Sequence, residues 1–335
     1  MLLGKKFLDM KNKCLERLCD MKVAIYGVWH VHAGGYTRKA MEMGEVVGFY
    51  EKNDAFAESF QKEFNIPRFS TPEELLESDA EGVIVCSASN EHVEDMVKIA
   101  NAGKHIFTEK VLALTDEGCL QVEKAVKDNN VKFVISLFQK YIGARIAVKN
   151  IADSGELGKI NYMRFRNCHS GFIAGWLPQH FFNKEQCGGG AMIDLGAHGM
   201  YLTHWILGVP ACAKSVFTIA CENDGYELKN TDNVEDNAVT VMQFQNGAIA
   251  VNETGFVSDK SPTVLEVHGE NGFVRMEGNS VVKCTKQTDG KTVEVSVPES
   301  LPSPLEQFLS GNILEGCGME EAKALTHMMV MAYGE

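Results

Sequence analysis

Between Lys22 and Leu137, short apolar runs alternate with amphipathic stretches, and this alternation is the strongest constraint on the fold. Val23–Tyr26, Glu45–Tyr50, Gly82–Cys86, His105–Thr108 and Lys132–Leu137 read as strands. Gly35–Met43, Asp54–Phe64, Glu91–Ala102 and Asp116–Asp128 read as the helices between them. In the last of these, Cys119, Val122, Ala125 and Val126 fall on one face. Pro72 opens a further helical turn, where its missing N–H costs nothing. Strands that are apolar on both faces need cover on both sides. With helices between them, they predict a parallel, doubly wound sheet of the Rossmann type.

After residue 150 the rhythm changes. Ile160–Cys168 alternates as a strand and Gly190–Leu207 reads as helix. Then strands follow one another: Ala213–Cys221, Ala238–Phe244, Ala248–Thr254, Val264–His268, Phe273–Glu277, Ser280–Thr285 and Thr292–Val297. Asn246-Gly247 turns a hairpin. Such a run predicts a large, mostly antiparallel sheet, open on one face unless a partner covers it. Helices near Pro304–Leu314 and Glu320–Tyr333 close the chain.

The predicted class is therefore α/β: an N-terminal Rossmann-type domain and a C-terminal α+β domain. A chain of 335 residues exceeds what one core usually holds. Residues 21–140 are assigned to the cofactor domain and 141–335 to a domain for substrate binding and oligomerisation. Residues 1–20 mix lysines with apolar residues before a natural start at Met21. They are set aside as an extension, either a short helix or an over-read upstream start.

The net charge of −13 opposes nucleic acid and anionic membranes, and no basic run offsets it. No apolar run approaches the roughly 20 residues of a membrane span, and no signal peptide is recognised. The ten cysteines show no zinc-knuckle spacing, and Cys86 lies in the apolar run Val83-Ile84-Val85 as a small hydrophobe. A cytoplasmic protein with reduced thiols is expected.

A strand, a turn and a helix N-terminus make a pyrophosphate site, because the helix offers unpaired N–H groups and a partial positive charge. Here Gly27-Val28-Trp29-His30-Val31-His32 stands in place of the usual Gly-x-Gly-x-x-Gly. Gly27 keeps the first position, while Trp29 and His32 occupy the other two. Alone, this turn reads equally well as a plain βα connection. Glu51 ends the second strand, where an acid accepts ribose hydroxyls and repels a 2′-phosphate, so NAD is expected over NADP.

The following segments resemble the Gfo/Idh/MocA oxidoreductases, the family of glucose–fructose oxidoreductase and inositol dehydrogenase. Cys86-Ser87-Ala88-Ser89-Asn90-Glu91-His92 stands where that family has Thr-Pro-Asn-x-x-His, bringing Ser87, Ser89 and His92 to the cofactor. Gly103-Lys104-His105-Ile106-Phe107-Thr108-Glu109-Lys110-Val111 resembles its Gly-Lys-His strand ending in Glu-Lys-Pro. By resemblance Glu109 adjoins the cofactor and Lys110 is the active-site cation. Val111 departs from the proline, leaving the turn less pre-set. Ser154-Gly155-Glu156-Leu157-Gly158-Lys159-Ile160 is similar to the family's linker, and the resemblance runs from Met21 to Tyr333. His30 and His32 match a variant with two histidines in the phosphate loop. Two histidines could begin a metal site, but no third ligand lies nearby in sequence, so no metal is expected.

Gly188-Gly189-Gly190-Ala191-Met192-Ile193-Asp194-Leu195-Gly196-Ala197-His198 resembles the family's triple glycine followed by Asp-x-Gly-x-His. Asp194 and His198 are i and i+4 on a helix, a spacing that lets a carboxylate fix an imidazole as a base. The plain alternative is a hydrogen-bonded helix pair without chemistry. Tyr201 stands where many relatives carry a second aspartate. Lys140, Tyr141, Arg166, His169, Trp176 and His180 are placed by the resemblance around the substrate.

The implied activity is NAD-dependent oxidation of a secondary alcohol of a sugar, glycoside or cyclitol, or the reverse, with Lys110, Asp194 and His198 catalytic. Two rivals stay open: a glycosidase using transient oxidation, and an NAD-binding sensor. A homodimer or homotetramer formed through the C-terminal sheet is expected.

Overall fold

The structure is a computed structural model that describes residues 21–221 and 225–334. The N-terminal extension, residues 1–20, lies outside the described residues. The chain forms two compact units. The first holds the described part of Met1–Glu109 with Leu120–Ser136 and Pro302–Met319; the second holds Lys110–Cys119, Leu137–Leu301 and the rest from Glu320.

In the first unit five strands form a parallel sheet in the order β2-β1-β3-β4-β5. They are β1 (Lys22–Tyr26), β2 (Glu45–Tyr50), β3 (Gly82–Val85), β4 (His105–Thr108) and β5 (Phe133–Ile135). Helices α1 (Ala33–Met43), α2 (Asp54–Phe64), α3 (Pro72–Glu77), α4 (His92–Asn101) and α5 (Asp116–Asp128) connect them, α5 entering the unit at Leu120. The central strands are buried on both faces: Val23, Ala24 and Ile25 of β1 and Val83, Ile84 and Val85 of β3 have no exposed surface. The continuous apolar runs follow from this double cover. Asn53 and Thr71 cap α2 and α3 by accepting the N–H of Phe56 and Glu74. The strand order reverses beside β1, so the loops after β1 and β3 flank a crevice at the carboxyl edge of the sheet.

The second unit is built on eight strands in the order β13-β12-β11-β10-β6-β9-β8-β7. They are β6 (Ile160–Cys168), β7 (Cys212–Thr218), β8 (Asn237–Gln243), β9 (Ile249–Gly255), β10 (Val264–Gly269), β11 (Gly272–Glu277), β12 (Ser280–Thr285) and β13 (Val293–Glu294). Neighbours are antiparallel except β6 and β9, which run parallel at the centre. Helices α6 (Gly143–Asp153) and α7 (Ala197–Leu207) pack on one face. That face buries Met163, Phe165, Ala250, Asn252, Leu265 and Val267. The opposite face carries Arg164, Arg166 and Glu253 with exposed Val216, Val239, Val241 and Ile249.

The predicted fold class is what the structure shows. Some expected elements shorten: the last strand is only Val293–Glu294, and the helix after Pro304 stops at Ser310. Helix α6 was not expected, although Ala144, Ala147, Val148 and Ile151 form its buried stripe. Among the described residues no helix is long and apolar enough to cross a membrane.

Candidate active site

In the first unit, Gly27 ends β1 with φ of 76°, a left-handed conformation that favours glycine. A side chain there would lie 2.6 Å from the Ser87 Cα, so the turn can be this tight only without a Cβ. Glu51 is buried, and its oxygens accept the Val28 N–H at 2.7 Å and the Asn53 N–H at 2.8 Å. The carboxylate thereby ties the loop after β1 to the end of β2. Each oxygen has a further lone pair for a hydroxyl donor. Helix α1 starts after this loop with no side-chain cap and no acid in its first turn. A bare helix N-terminus, a glycine that permits close approach and an acid at the end of β2 fit a dinucleotide.

Ser87 and His92 act behind that surface. The Ser87 hydroxyl donates to Asp95 at 2.6 Å, and His92 Nε2 lies 3.2 Å from the Ser87 carbonyl. Burial holds the Asp95 carboxyl above its usual range, against the Ser87 hydrogen bond. Both residues are buried and brace the loop after β3, whereas Ser89 is half-buried. Trp29 is packed inward.

His30, His32 and Glu109 meet at the ends of β1 and β4. His32 Nδ1 lies 2.6 Å from Glu109 Oε1, and His30 Nδ1 lies 3.8 Å from the same oxygen. Tyr36 of α1 donates its hydroxyl to Glu109 and lies 2.7 Å from the Ser136 hydroxyl. Burial, reinforced by the Glu109 charge, keeps the Tyr36 phenol protonated well above its ordinary range. Neither Tyr36 nor Ser136 was singled out from sequence.

In the second unit, the triple glycine leads into a π-helical turn, Met192–Gly196, which continues as α7. A side chain at Gly190 would lie 2.1 Å from the Glu235 carbonyl oxygen. The buried Glu235 carboxylate accepts from the N–H of Gly190 at 2.8 Å, the N–H of Met192 at 3.0 Å and the Tyr333 hydroxyl at 2.7 Å. It thus satisfies donors that a helix start leaves unpaired. Sequence reasoning missed Glu235; its only signal is an acid just before β8.

Lys110 is buried, and its ammonium donates to Asp194 Oδ1 at 2.6 Å and to the Asp194 carbonyl at 2.8 Å. The Lys110–Val111 peptide bond is cis although Val111 is not proline. His198, also buried, has Nδ1 2.9 Å from the Tyr201 hydroxyl. Tyr201 in turn accepts the Gln139 N–H at 3.2 Å, and Phe138 meets the imidazole edge-on. The Asp194 carboxylate thus accepts from Lys110, and the Tyr201 hydroxyl adjoins His198 Nδ1, two contacts that the i, i+4 spacing of Asp194 and His198 did not foretell. Arg145 is buried in the field of Tyr201, and burial lowers its guanidinium pKa against that attraction.

The remaining predicted residues divide. His169 is held below its ordinary pKa by burial, with the Asp194 charge opposing. It accepts the Gly171 N–H at Nδ1, which leaves the proton of the neutral ring on Nε2, and stacks on Phe256. The exposed Trp176 ring lies 4.6 Å from it, and half-buried His180 lies against Phe181. Lys140 and Tyr141 are buried on the turn before α6, the Lys140 ammonium lying 5.7 Å from the Trp205 ring. Arg166 does not join this group. Alternation along β6 turns Met163 and Phe165 toward the helices, so Arg166 stands on the opposite face with Ser261 and Glu253. Cys187 lies within the field of Asp194 and Lys110, but burial and Asp194 push its thiol up to about 12, too high for a nucleophile.

Comparison with known proteins agrees with this architecture. Residues 21–137 match the oxidoreductase family with an NAD-binding Rossmann fold, and residues 146–275 match the GFO/IDH/MocA C-terminal domain. The chain is 27% identical to D-glucoside 3-dehydrogenase of Escherichia coli over 252 residues, 70% of each chain. It is 26% identical to 1,5-anhydro-D-fructose reductase of Ensifer adhaerens over 236 residues, 68% of this chain and 67% of that protein. The crystal structure of the WlbA dehydrogenase from Bordetella pertussis in complex with NADH and UDP-GlcNAcA superposes with a TM-score of 0.74 at 17% identity, covering 94% of this chain and 95% of that one. With both domains matched in order and the dinucleotide turn built as described, the chain belongs to the GFO/IDH/MocA family and is an NAD-binding oxidoreductase.

Proposed function

We propose that the protein is an NAD-dependent dehydrogenase, or reductase, acting at a secondary alcohol or ketone of a sugar, glycoside or cyclitol. The observation that carries the reading is the buried Lys110 ammonium held on Asp194, with the His198–Tyr201 pair on the same helical segment. Sugar-directed dehydrogenases and reductases among the relatives support the substrate class and favour net hydride transfer over a glycosidase or a sensor.

NAD, when bound, supplies the hydride acceptor, and Gly27, Glu51 and the start of α1 would hold it. The chain's own residues handle the proton and the charge. His198 Nε2 takes the hydroxyl proton as the alcohol becomes a ketone. For this, the Tyr201 oxygen accepts from both Gln139 N–H and His198 Nδ1–H, which leaves Nε2 basic. The Lys110 ammonium stabilises negative charge growing on the reacting oxygen, an effect enlarged by its burial. Asp194 holds that ammonium in place as a positioning residue. His169 Nε2–H and the Trp176 face suit the hydroxyls and C–H faces of a polyol.

The open face of the eight-stranded sheet is our candidate for pairing between copies of the chain. Its exposed Val216, Val239, Val241 and Ile249 lie on adjacent strands, and Arg164 donates twice to Glu253 beside them. Light scattering on Val241→Asp tests this: the variant should shift to monomer, and a wild-type monomer at micromolar concentration rules the interface out.

The activity is tested by following NADH absorbance on adding hexosides, anhydrosugars and inositols. At least one should reduce NAD with an equivalent of ketone formed. Release of an aglycone without net NADH would contradict the reading.

A further inference from the structure

We propose that His30, His32 and Glu109 form a binding site for one zinc-class divalent ion (Zn2+ or Co2+). The three side chains each offer a ligand atom, and those atoms lie within 4.8 Å of one another. Sequence showed only the two histidines; the fold supplies the third ligand by bringing the end of β4 beside the loop after β1.

The spacing is close to what an ion requires. With metal–nitrogen and metal–oxygen bonds of about 2.0–2.2 Å, two ligands of a tetrahedral ion stand roughly 3.3 Å apart. His32 Nδ1 is 2.6 Å and His30 Nδ1 3.8 Å from Glu109 Oε1, one inside and one outside that value. Small outward and inward shifts place all three around one centre. The His32 N–H donates to His30 Nδ1 at 3.2 Å, and ligation through that nitrogen would replace this hydrogen bond.

Electrostatics favours the ion. Glu109 is 1% exposed, so its carboxylate has left water. The His30 and His32 rings, with centroids 4.7 Å apart, both face that one carboxylate, and a divalent ion between them would offset a charge that burial has withdrawn from water. Two imidazoles and a carboxylate select zinc-class ions over calcium or magnesium, and three protein ligands leave a fourth position for water or an exchangeable oxygen. The Tyr36 hydroxyl, already donating to Glu109, orients the carboxylate as an outer partner.

The test uses the full chain, stripped of nucleotide and metal, so the result is independent of the NAD reading. Titration with Zn2+ by calorimetry and with Co2+ by visible absorption is compared with His30→Ala, His32→Ala and Glu109→Gln, each checked for folding by circular dichroism. The expected result is one ion per chain, bound at least 10-fold more weakly in each folded variant. Because three separate variants are used, loss of one to misfolding leaves the others to decide. Failure of the wild type to bind either ion overturns the proposal. So does binding that is unchanged in the folded variants, or a Co2+ spectrum dominated by thiolate charge transfer, since either places the ion on cysteines.

Discussion

The Tyr201 hydroxyl lies 2.9 Å from Nδ1 of His198, and both side chains are almost wholly withdrawn from solvent. With the Tyr201 oxygen as acceptor, as the proposed mechanism has it, the contact keeps a proton on Nδ1 and leaves Nε2 basic. Tyr201→Phe keeps the ring and removes the contact. A hydrogen bond to a group that becomes charged is worth about 1.5–3 kcal/mol, so turnover should fall roughly 10- to 100-fold with NAD affinity unchanged. Losing an acceptor for the imidazolium also lowers the pKa of His198, so the acidic limb of the oxidation profile should move to lower pH. A drop in thermal stability with an unmoved pH profile would mark Tyr201 as merely structural.

Lys110 and Asp194 should behave as one unit. Asp194→Ala leaves a buried ammonium without its carboxylate, whereas Lys110→Met leaves a carboxylate that keeps some solvent. Asp194→Ala should therefore be the more destabilising, by up to about 3 kcal/mol, the low end for broken buried pairs. The double variant should lose less than the sum of the singles in chemical denaturation. Simple additivity would show that the pair is not coupled.

Glu51 should separate NAD from NADP. Glu51→Ala removes the charge that repels a 2′-phosphate and also the acceptor for the Val28 and Asn53 N–H groups. Affinity for NAD should fall about 10-fold or more, the loss of hydrogen bonds to an ionised group, while NADP binding falls less or rises. Trp29, on the loop itself, offers a fluorescence signal for both titrations. An unchanged ratio of the two affinities would remove Glu51 from the cofactor site.

Cys187 should be silent despite its neighbours. With its thiol pushed up to about 12, it stays protonated at neutral pH. Cys187→Ala should retain turnover within about 3-fold, and peptide mapping after brief iodoacetamide treatment at pH 7 should find Cys187 unmodified. Rapid inactivation traced to Cys187 would contradict this.

Much of this was legible in the sequence because periodicity reports burial. The runs Val23-Ala24-Ile25 and Val83-Ile84-Val85 announced a doubly covered sheet, and the alternation through Ile160–Cys168 announced a one-sided one. That same alternation would have placed Arg166 opposite Phe165, away from the helices. Partners across long sequence separations were not legible. Spacing alone set Asp194 and His198 on one helical face, but nothing in it showed that Lys110, 84 positions earlier, donates to that carboxylate. Glu235 serves the helix start from 45 positions away, and Glu109 reaches His32 across 77. No local pattern encodes such pairings, because only the folded chain brings the residues together.

Assignment of the proton to His198 and of the charge to Lys110 can be checked by single-turnover NADH formation, with a sugar or cyclitol found active, in wild type, Lys110→Met and His198→Asn after NAD binding is shown intact. Both variants should bind NAD normally and form NADH at least 100-fold more slowly, with the acidic limb of the pH profile lost in His198→Asn. Wild-type rates in Lys110→Met, or an unchanged pH profile in His198→Asn, would contradict this assignment.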